Sequence, residues 1–282
     1  MALPINIDKK LWLVALLILT AQVCGSPATQ QAPQPQPPAK PVHLEAFYRV
    51  FDNSGKERLL AGTNLNSEKL KSQESTKLFC AVRSERWPAG LVPVFQVSEG
   101  KSFVLKRLPV SGEENSSEPL FFALPLEDDS EATKLCGHWD FRAVQNGSTS
   151  LTALEVTYLR GEVSARFDQN SDYGFAHLSN GTFQNNELTL TVRYIADVYL
   201  VKGKLENGIL TGKWTAQTES EYGTWQASRA LQSLPPPSNA VSLFEWTRSS
   251  DGALRYATEE ESMSGEWVKN PNPLCRVWRL QE

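Results

Sequence analysis

Leu188-Thr189-Leu190-Thr191-Val192-Arg193-Tyr194 alternates apolar and polar side chains at every step. A period of two sets Leu188, Leu190 and Val192 on one face of an extended chain and Thr189, Thr191 and Arg193 on the other. That is the pattern of a half-buried antiparallel strand. Similar runs lie on both sides of it, punctuated by Ser54-Gly55, Asn146-Gly147, Asn180-Gly181, Asn207-Gly208 and Asp251-Gly252. Asn-Gly and Asp-Gly supply the positive φ angles that tight hairpins need. Helical potential is confined to short pieces such as Ser67 to Lys71 and Glu259 to Met263. The expected fold class is all-β.

Between Cys136 and the breaker Pro235-Pro236-Pro237 the pattern gives short strands joined directly by turns. They fall near His138 to Val144, Leu151 to Leu159, Glu162 to Phe167, Tyr173 to Leu178, Glu187 to Tyr194, Val198 to Glu206, Ile209 to Thr218 and Gly223 to Arg229. Such a meander hides its edges most simply as an up-and-down antiparallel barrel, here over residues 137–234.

The flanks repeat. Ala46-Phe47-Tyr48-Arg49-Val50, Ser102-Phe103-Val104-Leu105-Lys106 and Ser242-Leu243-Phe244-Glu245-Trp246 each open a unit and run to a turn at Ser54-Gly55, Ser111-Gly112 or Asp251-Gly252. Each unit continues through Leu60-Ala61, Phe122-Ala123 or Tyr256-Ala257. Each closes on Leu78-Phe79-Cys80, Leu135-Cys136 or Leu274-Cys275, with Trp87, Trp139 or Trp278 after it. Shared order argues for divergent repeats. The organisation expected is therefore a three-repeat, β-trefoil-like domain, formed by residues 42–136 and 235–282, with the barrel inserted between its parts. Insertion is tolerated where the ends of the insert lie close together.

Residues 1–25 read as an export signal. Lys9 and Lys10 precede the apolar run Leu11 to Ala21, and the small pair Gly25-Ser26 follows. The run is shorter than the about 20 residues of a spanning helix. Cys24 is the lipidation candidate; cleavage after Gly25 would remove it instead, and the sequence leaves both outcomes open. Residues 26–41 (SPATQQAPQPQPPAKP) form a Pro/Gln-rich linker that cannot bury apolar surface. The mature chain is expected outside the cytoplasm, as a periplasmic, surface-lipoprotein or secreted protein, with the membrane touched only through signal or lipid.

Over the 282 residues, 40% are hydrophobic and 21% charged, which excludes wholesale disorder. A net charge of −4 gives no basic footprint for nucleic acid. Three histidines (His43, His138, His177), widely scattered, suggest no metal site, and no cofactor is expected. Nucleophile elbows, phosphate loops and metalloprotease helices are missing from the sequence. The densest carboxylates, Asp128-Asp129 and Glu259-Glu260-Glu261, read as solvated turns, so no catalytic residue is assigned. Asn115, Asn146 and Asn180 head Asn-x-Ser/Thr sequons.

Cys80, Cys136 and Cys275 are the disulfide candidates, because exported cysteines usually pair. One bridge with a spare thiol, three buried thiols and a three-thiolate metal site all remain open. Seven of the eight tryptophans lie beyond the signal. Trp139, Trp214 and Trp225 read as barrel core. Trp87, Trp246, Trp267 and Trp278, in the repeats, are the ligand-binding candidates alongside a core reading, since exposed Trp stacks on sugars or grips partners.

Gly137-His138-Trp139 on the first barrel strand and Arg229 on the last resemble the barrel-closing tryptophan and arginine of calycin (lipocalin-like) barrels. The middle block is also similar to small barrel domains of bacterial extracytoplasmic proteins. That resemblance implies that Trp139 and Arg229 pack together to close one barrel end. The flanks resemble a repeat of unknown function in secreted bacterial proteins, through Tyr48-Arg49 with Gly55 and Gly252 with Tyr256-Ala257-Thr258. The histidine which that repeat carries after its glycine is replaced here by Lys56, Glu113 and Ala253. The functional expectation is an exported or lipid-anchored, non-enzymatic module that binds a glycan or a surface protein. Its rivals are a barrel carrying an apolar ligand and, behind that, a hydrolase.

Overall fold

The structure, a computed structural model, describes residues 42–51, 57–65, 76–99, 102–108, 118–168, 177–194, 197–217, 222–229, 233–263 and 265–280. The export signal, Cys24, the linker, Ser54-Gly55, Ser67 to Lys71, Ser111-Gly112 and Asn115 lie outside the described residues.

The chain is all-β. Strands β1 (Leu44–Phe51), β2 (Glu57–Ala61) and β3 (Thr76–Val82) make a first unit, with a helical turn α1 (Gly62–Leu65) after β2. Strands β4 (Val92–Glu99), β5 (Ser102–Lys106) and β6 (Phe121–Ala123) make a second, followed by the short helix α2 (Ser130–Leu135). Eight strands then form the barrel: β7 (Gly137–Gln145), β8 (Ser148–Leu159), β9 (Glu162–Asp168), β10 (His177–Gln184), β11 (Glu187–Tyr194), β12 (Asp197–Glu206), β13 (Ile209–Ala216) and β14 (Tyr222–Ser228). The third unit is β15 (Ala240–Arg248), β16 (Leu254–Thr258), β17 (Trp267–Lys269) and β18 (Cys275–Trp278).

The barrel is closed and antiparallel, sequence neighbours pairing throughout and β14 returning to β7. Its interior is filled by rings. Trp225 stacks on Phe141 at 5.2 Å, Phe167 meets Phe141 edge-on at 5.3 Å, and Tyr158 meets Phe183 at 6.3 Å. The Trp225 indole lies against Gly203, and its Nε1–H donates to the carbonyls of Lys202 (3.1 Å) and Lys213 (3.2 Å). Glycine at 203 leaves the space that ring occupies.

In the surrounding sheet each unit has the same plan: its first strand is central and pairs with its second and its last. Phe47 faces Ala61 and Phe79, and Leu243 faces Thr258 and Cys275. Val94 faces Phe121, while its neighbour Phe95 faces Lys106. The last strands of the units, β3, β6 and β18, then meet in a ring. Val82 pairs with Phe122, Leu124 with Arg276, and Trp278 with Cys80. Each bridge joins one position of a unit to the position two residues earlier in the next, which is threefold pseudosymmetry expressed in hydrogen bonds. The sheet is nearly closed, β5 and β16 being its free ends.

Tyr256 spans that gap. Its ring stacks on Phe103 at 5.9 Å, its hydroxyl accepts Leu105 N–H (2.9 Å), and it donates to Glu245 Oε2 (2.8 Å). Tyr256→Phe strands a buried N–H and unpairs a carboxylate, so a loss of about 1–3 kcal/mol is expected, read as a lower urea midpoint at unchanged slope. A second tie joins the first and third units. Buried Arg49 donates to Glu261 Oε1 (2.9 Å) and to the Tyr256 carbonyl (3.1 Å), and pairs with Glu57 at 3.3 Å.

Three expectations from sequence are corrected. Ser102 to Lys106 is the second strand of its unit; the first is Val92–Glu99, disguised by Pro93, which sits opposite Phe122. Phe47, Leu243 and Val94 therefore share the equivalent position and are all fully buried, whereas Phe103 lies one strand later in the same core. Asn180-Gly181 is not a turn but the middle of β10, where a side chain at 181 would strike the carbonyl of Thr189. The turn is Asn185-Asn186, at φ 53° and 63°. Glu259 to Met263 forms turn and coil rather than helix, with Glu261 bound to Arg49.

Candidate functional site

The four tryptophan candidates separate by burial. Trp87 (4% exposed) and Trp278 (1%) are sealed with Val82, Leu91, Phe95, Phe122 and Leu124 in a second hydrophobic cluster. Trp278 Nε1–H donates to the Pro236 carbonyl at 3.3 Å, and Trp87 carries the Arg166 guanidinium 5.7 Å from its ring centre. These two hold the fold. Trp246 and Trp267 are half-buried on a common face of the third unit.

Strand alternation builds that face. Phe244, Trp246 and Arg248 project to one side of β15; Arg255 on β16 and Lys269 on β17 flank Trp246, and Trp267 flanks Arg248. Lys269 Nζ sits 3.5 Å from the Phe244 ring centre and 5.9 Å from that of Trp246. The Arg255 and Arg248 guanidinium groups stand 4.6 and 5.4 Å from the Trp267 ring centre. Arg248 is also held by both oxygens of Asp251 (2.8 and 2.6 Å), and Arg255 by Glu57 (3.1 Å). Rings and carboxylates thus fix three cationic side chains on an outward sheet surface. Composition alone gave the tryptophans; the interleaved cations become visible only when β15, β16 and β17 are aligned.

Trp139 is fully buried, its Nε1–H donating to the Leu135 carbonyl at 2.9 Å. Arg229 lies 4.8 Å over its ring and donates to the carbonyls of Cys136 (2.8 Å) and Thr133 (3.1 Å). The same contact brings the entry and exit of the barrel together at Cys136 and Arg229.

Cys136 and Cys275 are free and fully buried. Burial pushes both thiols up to about 12, against a pull downward from nearby Arg107. At neutral pH they stay protonated, the form that neither attacks nor ligates. Cys80 is one residue out of register with Cys275 between units and lies three ladder steps from it, about 10 Å, beyond the about 7 Å Cα limit for a bridge. Among the described residues no three His, Cys, Asp or Glu side chains gather as a metal site. Asp128, Glu259 and Glu260 are exposed at turns as expected, whereas Asp129 binds buried Arg107 (2.9 Å) and Glu261 binds buried Arg49 (2.9 Å).

A groove runs where the barrel meets the third unit. One part, of 520 Å³, is lined by residues that include Arg107, Asp128, Arg160, Glu245, Asn270 and Asn272. It shares Leu126, Asp128, Arg160, Asn272 and Pro273 with a neighbouring hollow of 490 Å³. No catalytic motif in the sequence pointed there, because its walls come from five separate segments.

The architecture defines a class: an all-β protein in which a closed barrel interrupts a pseudo-threefold sheet. No family model matches the chain, and no curated protein matches it in sequence.

Proposed function

We propose that the chain is an exported, non-enzymatic binding module that holds a glycan on the outward face of its third unit, around Trp246 and Trp267. The observation that carries this reading is the pairing of two half-exposed indoles with Arg248, Arg255 and Lys269 on one sheet surface. Indole and phenyl surfaces suit the C–H faces of sugar rings, and the cations add donors for hydroxyl or acidic groups. Because packing already restrains these side chains, little rotamer freedom is lost on binding. The ring-filled barrel favours this face over the lumen as the ligand site. The signal-like segment and Pro/Gln tract support display outside the cytoplasm.

A glycan array probed with the full chain, followed by calorimetric titration of the best hit, tests the reading. Trp246→Ala, Trp267→Ala and the milder Lys269→Met should each weaken binding at least tenfold (about 1.4 kcal/mol). Tyr222→Ala, at an exposed barrel position, should leave it unchanged. Silence on the array, or full affinity in the tryptophan variants, overturns the proposal.

A further inference from the structure

We propose that the groove between barrel and third unit is a second binding site, one that takes the carboxylate of a small polar ligand with Arg160 as its anchor. Three observations converge on that residue. Arg160 lines both parts of the groove. It is the groove arginine with no carboxylate partner among the described residues, since Arg107 is held by Asp129 and Arg276 by Glu127. It also stands at φ 50° in the two-residue turn between β8 and β9.

The backbone is telling because of what occupies comparable places. Every other non-glycine residue at positive φ among the described ones is asparagine: Asn146, Asn185, Asn186 and Asn207. Asparagine tolerates this region, whereas a long side chain gains nothing locally from it. An arginine kept there at the expense of the turn is the signature of a side chain retained for what it binds, stability being given up at functional positions.

The remaining lining sets the rest of the ligand. Asp128, Glu245, Asn270 and Asn272 offer planar acceptors and donors for hydroxyl, amide or ammonium groups, over an apolar floor that includes Leu126, Leu159 and Pro273. Arg160 can bind a carboxylate through two parallel N–H groups. Such a carboxylate is found at a uronic acid and at a peptide C-terminus, and the two sources are told apart by the probes.

The test titrates the full chain with an oligogalacturonate and its methyl ester, and with a short alanine peptide and its C-terminal amide. One acid should bind, its ester or amide at least tenfold more weakly. Arg160→Asn should lose at least tenfold in affinity while its melting temperature stays equal to or above that of the parent. Tyr222→Ala, at an exposed barrel position outside both sites, should bind the acid as the parent does. The proposal is overturned if neither acid binds, if the neutral derivative binds equally, or if Arg160→Asn keeps its affinity. It is likewise overturned if Arg160→Asn melts lower, or if the loss falls on Trp246→Ala instead.

Discussion

Arg107→Ala is expected to lower stability by about 3–5 kcal/mol, the range for removing one partner of a buried ion pair. Arg107 is 3% exposed at the end of β5. One of its terminal nitrogens donates to Asp129 Oδ2 at 2.9 Å and to the Tyr158 carbonyl at 3.0 Å. Its own carbonyl accepts the Thr157 hydroxyl at 3.1 Å. One residue thus joins the second unit, the segment before α2 and barrel strand β8. Deleting the side chain leaves Asp129 with its carboxylate mostly out of water and Tyr158 with an unanswered carbonyl. Urea unfolding followed by tryptophan fluorescence checks this, and a biphasic curve would report the barrel parting from the sheet. Arg107→Met with Asp129→Asn should recover part of the loss, because a neutral pair carries no stranded charge. A loss below about 1 kcal/mol, the value of an exposed pair, would show that this contact does not couple the two bodies.

Gly212→Ala should be nearly as damaging, about 3 kcal/mol, at the upper end for overpacking. Gly212 on β13 faces Gly203 on β12, and a methyl group there would strike the Lys202 carbonyl and the Gly203 Cα. Those are backbone atoms, so no rotamer change relieves the contact and two adjacent strands must separate. Trp225 feels the same shift, since its indole donates to the carbonyls of Lys202 and Lys213 on either side. Gly208→Asn is the contrasting control. A side chain there meets nothing within 4 Å, and asparagine accepts positive φ, so the change should stay under about 1 kcal/mol. Thermal melts of both variants, with near-ultraviolet circular dichroism for the indole environment, distinguish them.

Much of the architecture could be read along the chain. Alternation such as Leu188 to Tyr194, with Asn146-Gly147 and Asn207-Gly208 as turns, indicated β7 through β14 as consecutive antiparallel strands. Two of the three outer units also lined up strand for strand, though Cys275 corresponds to Phe79 rather than to Cys80. The second was read one strand late: its first strand, Val92–Glu99, carries Pro93, a residue uncommon inside strands. Asn180-Gly181 misled for a related reason: glycine serves both left-handed turns and close backbone approach, and the letters do not say which. Of the aromatic face, Trp246 and Trp267 were among the candidates, but so were Trp87 and Trp278, which the core absorbs. Arg160 and the groove gave no sequence signal, since a single arginine before a glycine has no periodicity to mark it.

The sequence by itself determined that this is a strand protein, where several of its turns fall, Asn146-Gly147 and Asn207-Gly208 among them, and that one sheet interrupts another. Those properties follow from the period of side-chain direction and from local φ preferences, which a short window of residues decides. Only the tertiary structure decided which tryptophan is buried and which arginine is paired. Arg49 finds Glu261 across 212 positions of chain, and Arg107 finds Tyr158 across 51. Burial and charge pairing depend on neighbours brought in by strand closure, and a residue's sequence surroundings carry no record of them.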